Sequence, residues 1–197
     1  MLTKTQAKVM AIFVSKIEKK FSIKEISDIL KKPYPLIHRA IKDLIKKKFV
    51  IKDEKKLLSL NYKNNLAELS YIESLRSKKA LEKDKTFALF AKDIQEKLGL
   101  DFFIFLVFGS YVKKSNPRDI DLLFIIENKA KITDIEKNLE NIASYFTKNF
   151  HFNVIALESA YEMLSKRDKI NVINESLNKH LIIFGGENYY KILKNAR

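Results

Sequence analysis

The chain has no cysteine among its 197 residues. That excludes disulfides, thiolate zinc sites and cysteine nucleophiles together, and it fits a reducing compartment. With only 4 glycines and 3 prolines, tight turns are few and regular elements run long. Long hydrophobic runs are missing too. The longest uninterrupted apolar stretch is Phe102 to Phe108, far short of the ~20 residues of a membrane-spanning helix. No charged-then-apolar leader with a small-residue cleavage site opens the sequence. The expectation is a soluble, cytoplasmic protein without a membrane partner. A hydrophobic content of 46% supports a real core and is too high for a disordered tail. The length allows one large domain or two small ones.

Acidic residues are also in short supply. Lys and Arg total 38 against 24 Asp and Glu, a net charge of +14. The excess is uneven. Residues 1–62 hold 16 basic and 6 acidic side chains, a net of +10, which leaves 22 against 18, or +4, for residues 63–197. Positive charge concentrated in a third of the chain points to a polyanion partner for that third. The plain alternative is a generic basic surface in a Lys-rich protein.

Thr3 to Lys19 carries a broad helical apolar face built on Val9, Met10, Phe13, Val14 and Ile17. Ser22 with Glu25 three residues on is a capping-box signature for a short second helix, ended by Lys31, Lys32 and Pro33. A third helix starts near Pro35, and Ile37, Ala40, Ile41, Leu44 and Ile45 form its stripe. Phe49-Val50-Ile51 and Leu57 to Leu60 flank the polar turn Asp53 to Lys56 and read as a hairpin. This order over residues 1–62 resembles a winged helix-turn-helix. In such folds the third helix enters the major groove and the wing touches the backbone. The residues off the stripe of that helix, Tyr34, His38, Arg39, Lys42 and Lys46, and Lys55 and Lys56 of the wing, are the candidate nucleic-acid contacts. Arg39 could read a guanine edge or hold a phosphate, whereas the lysines would fix register. DNA is the expected nucleic acid. A solvated helix face, or a protein-interaction module, is the alternative.

The polar stretch Tyr62 to Asn65 interrupts the apolar periodicity, which predicts separate cores before and after it. Leu66, Leu69, Ile72 and Leu75 then predict a helix, serving as a connector within 63–84 or as the surface of a homodimer. Phe87, Phe90, Ile94 and Leu98 predict another, closed by Gly99.

Phe102 to Phe108 reads as a buried strand, followed at once by Gly109-Ser110. Asp119-Ile120-Asp121 opens a second apolar run ending at Ile126. Strand alternation puts Asp119 and Asp121 on one face. Two adjacent carboxylates repel each other unless a cation lies between them, and hard oxygen donors of this kind suit Mg²⁺ together with substrate phosphates. A Gly-Ser turn leading into a helix N-terminus offers N–H groups and a hydroxyl to a phosphate. Taken singly, each motif is an ordinary turn or strand end.

Together and in this order, Val107-Phe108-Gly109-Ser110-Tyr111 and Asp119-Ile120-Asp121-Leu122-Leu123 resemble the h-G-S…D-h-D signature of the DNA polymerase beta nucleotidyltransferase superfamily. The small, stand-alone minimal nucleotidyltransferases look closest. Thr133 to Lys148 reads as an amphipathic helix, Phe152 to Glu158 resembles the third strand of that family, and Ile182 to Glu187 its closing segment. The resemblance covers residues 85–197. It implies an α/β (α+β) fold, with a mixed sheet flanked by helices behind the N-terminal winged helix-turn-helix.

The resemblance further implies transfer of a nucleoside monophosphate from a nucleoside triphosphate to a hydroxyl of a protein or nucleic acid, with Mg²⁺ or Mn²⁺. Gly109 and Ser110 would hold the triphosphate, and Asp119 and Asp121 would be catalytic and bind metal. The third carboxylate of the family falls on Asn153, a weak, uncharged ligand. The loop after Ser110 is short, with Lys114 where many relatives have Gly and Arg118 where they often have Ser. Arg118, Lys113 and Lys114 either contact phosphates or are solvated. Glu158, at an odd offset from Asn153, is expected on the opposite strand face. Minimal nucleotidyltransferases often act as antitoxins, which implies a HEPN-type toxin as a partner. The alternative is a DNA-binding regulator whose second domain is inactive and only binds a ligand or partner.

Overall fold

The computed structural model describes residues 2–112, 117, 119–166 and 169–196. Thr3 and Gln6 cap each other's backbone N–H at the start of α1 (Lys4–Ser15), and Ser22 and Glu25 do the same for α2 (Ile23–Leu30). Lys31, in the left-handed region at φ 49°, ends α2. α3 (Tyr34–Lys46) has its proline in the first turn and buries Ile37, Ala40, Ile41 and Leu44. β1 (Val50–Lys52) and β2 (Leu58–Leu60) pair antiparallel. Asp53 closes the turn between them, its carboxylate accepting from the Leu57 N–H at 2.9 Å. Phe21 adds a bridge to Leu58 through two reciprocal backbone bonds of 2.9 and 2.8 Å.

α4 (Leu66–Leu81) and α5 (Lys85–Lys97) lead to β3 (Phe103–Phe108), buried at all six positions, and β4 (Asp119–Ile126). α6 (Ile132–Ala143) crosses to β5 (Asn149–Ala156), which runs parallel to β4. α7 (Leu157–Ser165), α8 (Val172–Ser176), β6 (His180–Phe184) and α9 (Gly186–Ala196) complete the order. The sheet runs β5-β4-β3-β6, with β3 antiparallel to both β4 and β6. A mixed α/β fold with a mixed sheet between helices is therefore what the chain adopts. Gly185, at φ +77°, turns β6 into α9 where a Cβ would meet the Phe103 carbonyl oxygen at 2.6 Å.

The two faces of the sheet bury different sets. Phe103, Phe105, Val107, Ile120, Leu122 and Phe124 pack with Phe87, Phe90, Ile94, Ile135 and Leu139 of α5 and α6. Ile104, Leu106, Phe108, Leu123 and Ile125 pack with Leu69, Ile72, Leu164, Tyr189 and Tyr190. That second cluster continues without a break into Val9, Phe13, Phe21, Ile37, Ile41 and Leu58. The expected separation of 1–62 from the rest into its own core is thus corrected: one apolar cluster spans both. The reason is α4. Its buried residues pack on α1 on one side and on β6 and α9 on the other, so it is a wall of the core and not a spacer. The Ile17 N–H also donates to the Leu177 carbonyl at 3.2 Å, and the Glu18 N–H to the Asn178 side chain at 3.1 Å.

Two boundaries differ from expectation. α6 stops at Ala143, five residues early. β5 begins at Asn149 and ends at Ala156, so Glu158 lies in the first turn of α7 and not on the sheet. Gly109 to Val112 form a turn, and the helix start expected after it falls outside the described residues.

Candidate active site and nucleic-acid interface

The antiparallel pairing of β3 and β4 makes Phe108 and Asp121 direct partners, so the chain leaves β3 at Gly109 beside the carboxylate that β4 delivers. Gly109 has φ +69°, and a Cβ there would stand 2.6 Å from Asp121 Oδ2. Only glycine lets the turn and the carboxylate come this close. On β4, Ile120 and Leu122 are fully buried while Asp119 is exposed and Asp121 half-buried, the alternation the sequence predicts. The Ser110 hydroxyl reaches the Asp119 carbonyl at 3.5 Å. Gly109, Ser110, Asp119 and Asp121 are therefore brought together at one end of the sheet.

The third position is different. In the parallel β4–β5 register Asp119 faces Asn149, Asp121 faces His151, and Asn153 faces Leu123. The Asn149 amide donates to Asp119 Oδ1 at 3.2 Å. His151 Nδ1 lies 3.5 Å from Asp121 Oδ1. The Asn153 amide instead donates to the Leu122 carbonyl at 3.3 Å, one strand step past the carboxylates. Asn149 and His151 are thus the β5 residues at the site that sequence reasoning missed. They share the strand parity of Asn153, and a strand started at Asn149 would have exposed them.

Asp84 pins the turn from behind. Its carboxylate caps α5 at the Phe87 N–H (3.0 Å), accepts from the Tyr111 hydroxyl (3.3 Å) and pairs with Lys148 at 2.5 Å. Burial pushes the Asp84 carboxyl up, but Lys148 and the Phe87 N–H outweigh that and leave it below its ordinary value. Burial, then the Asp84 charge, raises the Tyr111 phenol, so it stays a donor. Tyr111 follows Gly109-Ser110 directly, and this anchor fixes the turn.

Two carboxylates on one face, one exposed and one half-exposed, with an imidazole and an amide beside them, are of the donor types that divalent cations take. Among the described residues no group of three or more Asp, Glu, His or Cys side chains is already gathered around one point. Any cation here takes the rest of its oxygens from substrate or water. Lys113, Lys114 and Arg118 lie outside the described residues.

In the N-terminal part of the chain, Tyr34, His38, Arg39, Lys42 and Lys46 are all exposed on α3, off its buried stripe. The Tyr34 and His38 rings stack at 6.0 Å. Lys55 and Lys56 are exposed in the turn between β1 and β2, where Lys56 adopts φ 62°. No described helix is long and apolar enough to cross a membrane. Compared with protein-family models, curated proteins and solved structures, the chain has no match.

Proposed function

We propose that the chain is a divalent-cation-dependent nucleotidyltransferase of the minimal type, joined to a winged helix-turn-helix that binds nucleic acid. The observation that carries this reading is the convergence of Gly109 and Ser110 with Asp119 and Asp121 through the Phe108–Asp121 pairing. The Gly109-Ser110 turn offers a hydroxyl and backbone donors to a triphosphate. Asp119 and Asp121 hold the cation, and Asn149 and Gly109 fix where those carboxylates sit. A divalent cation held by Asp119 and Asp121 would neutralise triphosphate charge, so that an acceptor hydroxyl could bond to the α-phosphorus as the bond to the leaving pyrophosphate breaks and the hydroxyl proton passes to solvent. Exposed Arg39, Lys42 and Lys46 on α3 and Lys55 and Lys56 on the hairpin support backbone contacts to DNA by a recognition helix and a wing.

A second reading has its own support. No carboxylate stands beside Asp119 and Asp121 on β5, where Asn149, His151, Asn153 and Ile155 occupy that face. That favours a regulator in which this domain binds nucleotide without transferring it. Incubating the protein with each labelled nucleoside triphosphate, Mg²⁺ or Mn²⁺, and candidate protein or nucleic-acid acceptors separates the two. Transfer that disappears in Asp119→Asn and Asp121→Asn supports the enzyme. Binding of triphosphate without transfer supports the regulator, and absence of both removes each reading of this domain.

A further inference from the structure

We propose that His151 is a ligand of the cation held by Asp121, and that this imidazole tilts the site from Mg²⁺ toward first-row transition ions such as Mn²⁺ and Co²⁺. The inference rests on the reading of Asp119 and Asp121 as cation ligands.

Three observations carry it. The parallel register sets His151 directly opposite Asp121, on the same sheet face. His151 Nδ1 and Asp121 Oδ1 are 3.5 Å apart. Two donors on one ion stand about 3 Å apart when each bond is about 2.1 Å, so a small side-chain adjustment admits the ion. The His151 side chain is 62% exposed and that of Asp121 34%, so solvent and a triphosphate can reach both and complete the coordination.

The chemistry follows from donor type. A site of carboxylate, carbonyl and water oxygens suits Mg²⁺, whereas an imidazole nitrogen is a poor Mg²⁺ donor and a good transition-ion donor. Asn149 is engaged with Asp119 and Asn153 with the Leu122 carbonyl, which leaves His151 as the β5 side chain directed at Asp121. The other two histidines are elsewhere. His180 is fully buried against Glu73, and His38 stacks on Tyr34.

The test is spectroscopic. Full-length protein carrying ¹⁵N-histidine is titrated with Mn²⁺, alone and with a non-hydrolysable ATP analogue, and nitrogen hyperfine coupling to the bound ion is recorded by pulsed EPR. A ¹⁵N coupling is expected, and it disappears in His151→Gln. Affinity for Mn²⁺ falls about tenfold or more in that variant, while affinity for Mg²⁺ changes by less than about twofold. His151→Asp moves the preference back toward Mg²⁺. Mn²⁺ that binds and is lost in Asp121→Asn, but shows no histidine coupling and no sensitivity to His151→Gln, overturns the proposal and leaves the carboxylate reading intact. No Mn²⁺ binding with or without the analogue overturns both.

Discussion

Glu73 of α4 and His180 of β6 meet in the interior, with Nε2 of the imidazole 3.2 Å from Oε1 of the carboxylate and both side chains shut off from solvent. The same carboxylate takes the Tyr190 hydroxyl at 2.9 Å and pairs with Arg76 at 2.5 Å, and Arg76 also donates to the His180 carbonyl at 2.7 Å. His180 Nδ1 donates to the Ser176 carbonyl at 2.8 Å. Both ring nitrogens face oxygen acceptors. A buried charge is tolerated only with partners of this quality. The group also ties α4 to the sheet at a telling place, because His180 is the cross-strand partner of Phe108, itself the partner of Asp121.

This cluster gives the protein an acid limit. Burial pushes the Glu73 carboxyl up, but Arg76, His180 and Tyr190 outweigh it and hold it below its ordinary value. A depressed folded value means the stabilisation is complete above the unfolded value of about 4.3 and is lost as pH falls from there through the folded value. Melting temperature between pH 7 and 3 should therefore drop more steeply for the wild type than for Glu73→Gln. At pH 7 that variant should lose about 3 kcal/mol, because Arg76 keeps its place without the countercharge.

Gly109→Ala should damage the site more than the fold. The left-handed backbone conformation costs a side-chain-bearing residue about 1–2 kcal/mol. The new methyl also lands on Asp121 Oδ2. Denaturant unfolding should show that modest loss, and Mn²⁺ binding monitored by EPR should fall disproportionately.

Asp84→Ala removes the cap of α5, the Tyr111 bond and the Lys148 pair together. A loss of about 2 kcal/mol is expected. Tyr111→Phe keeps the cap and should cost about 1 kcal/mol. If the turn is held from behind as described, both variants weaken triphosphate binding, measured by calorimetry, without touching Asp119 or Asp121.

Nucleic-acid affinity should fall steeply with salt, since lysine contacts to phosphate dominate the proposed interface. Replacing Arg39 and Lys42 together by alanine should weaken duplex DNA binding and lower the log–log salt slope by about 2. Fluorescence anisotropy across a salt series reads both. Unchanged affinity would assign this face of α3 to a protein partner.

Much of this was legible in the sequence. Local chemistry wrote the Ser22–Glu25 box, the stripe of α3, the Asp53 turn and the buried strand β3, because each depends on residues within a few positions of one another. The two motif halves, Gly109-Ser110 and Asp119-x-Asp121, were legible for the same reason: alternation along a strand is a property of the chain alone. The cores were misjudged because an apolar stripe states that a helix is buried and not against what. Leu69 and Ile72 could as well have faced a second copy as α1 and α9.

Which residues stand beside each other across strands comes from the folded sheet. Parity along β5 is written in the sequence, but its register against β4 is set by how α6 ends and where the crossover lands. That register puts His151, and not Asn153, opposite Asp121. The Glu73–His180 pair, joining residues 107 apart, has the same origin. Periodicity and capping wrote the elements up to β4 and the residue types at the sheet end, whereas α7, α8 and α9 carried no comparable local signal. The neighbours of each carboxylate were decided by long-range packing, because side-chain contacts between distant segments depend on a register that no local pattern encodes.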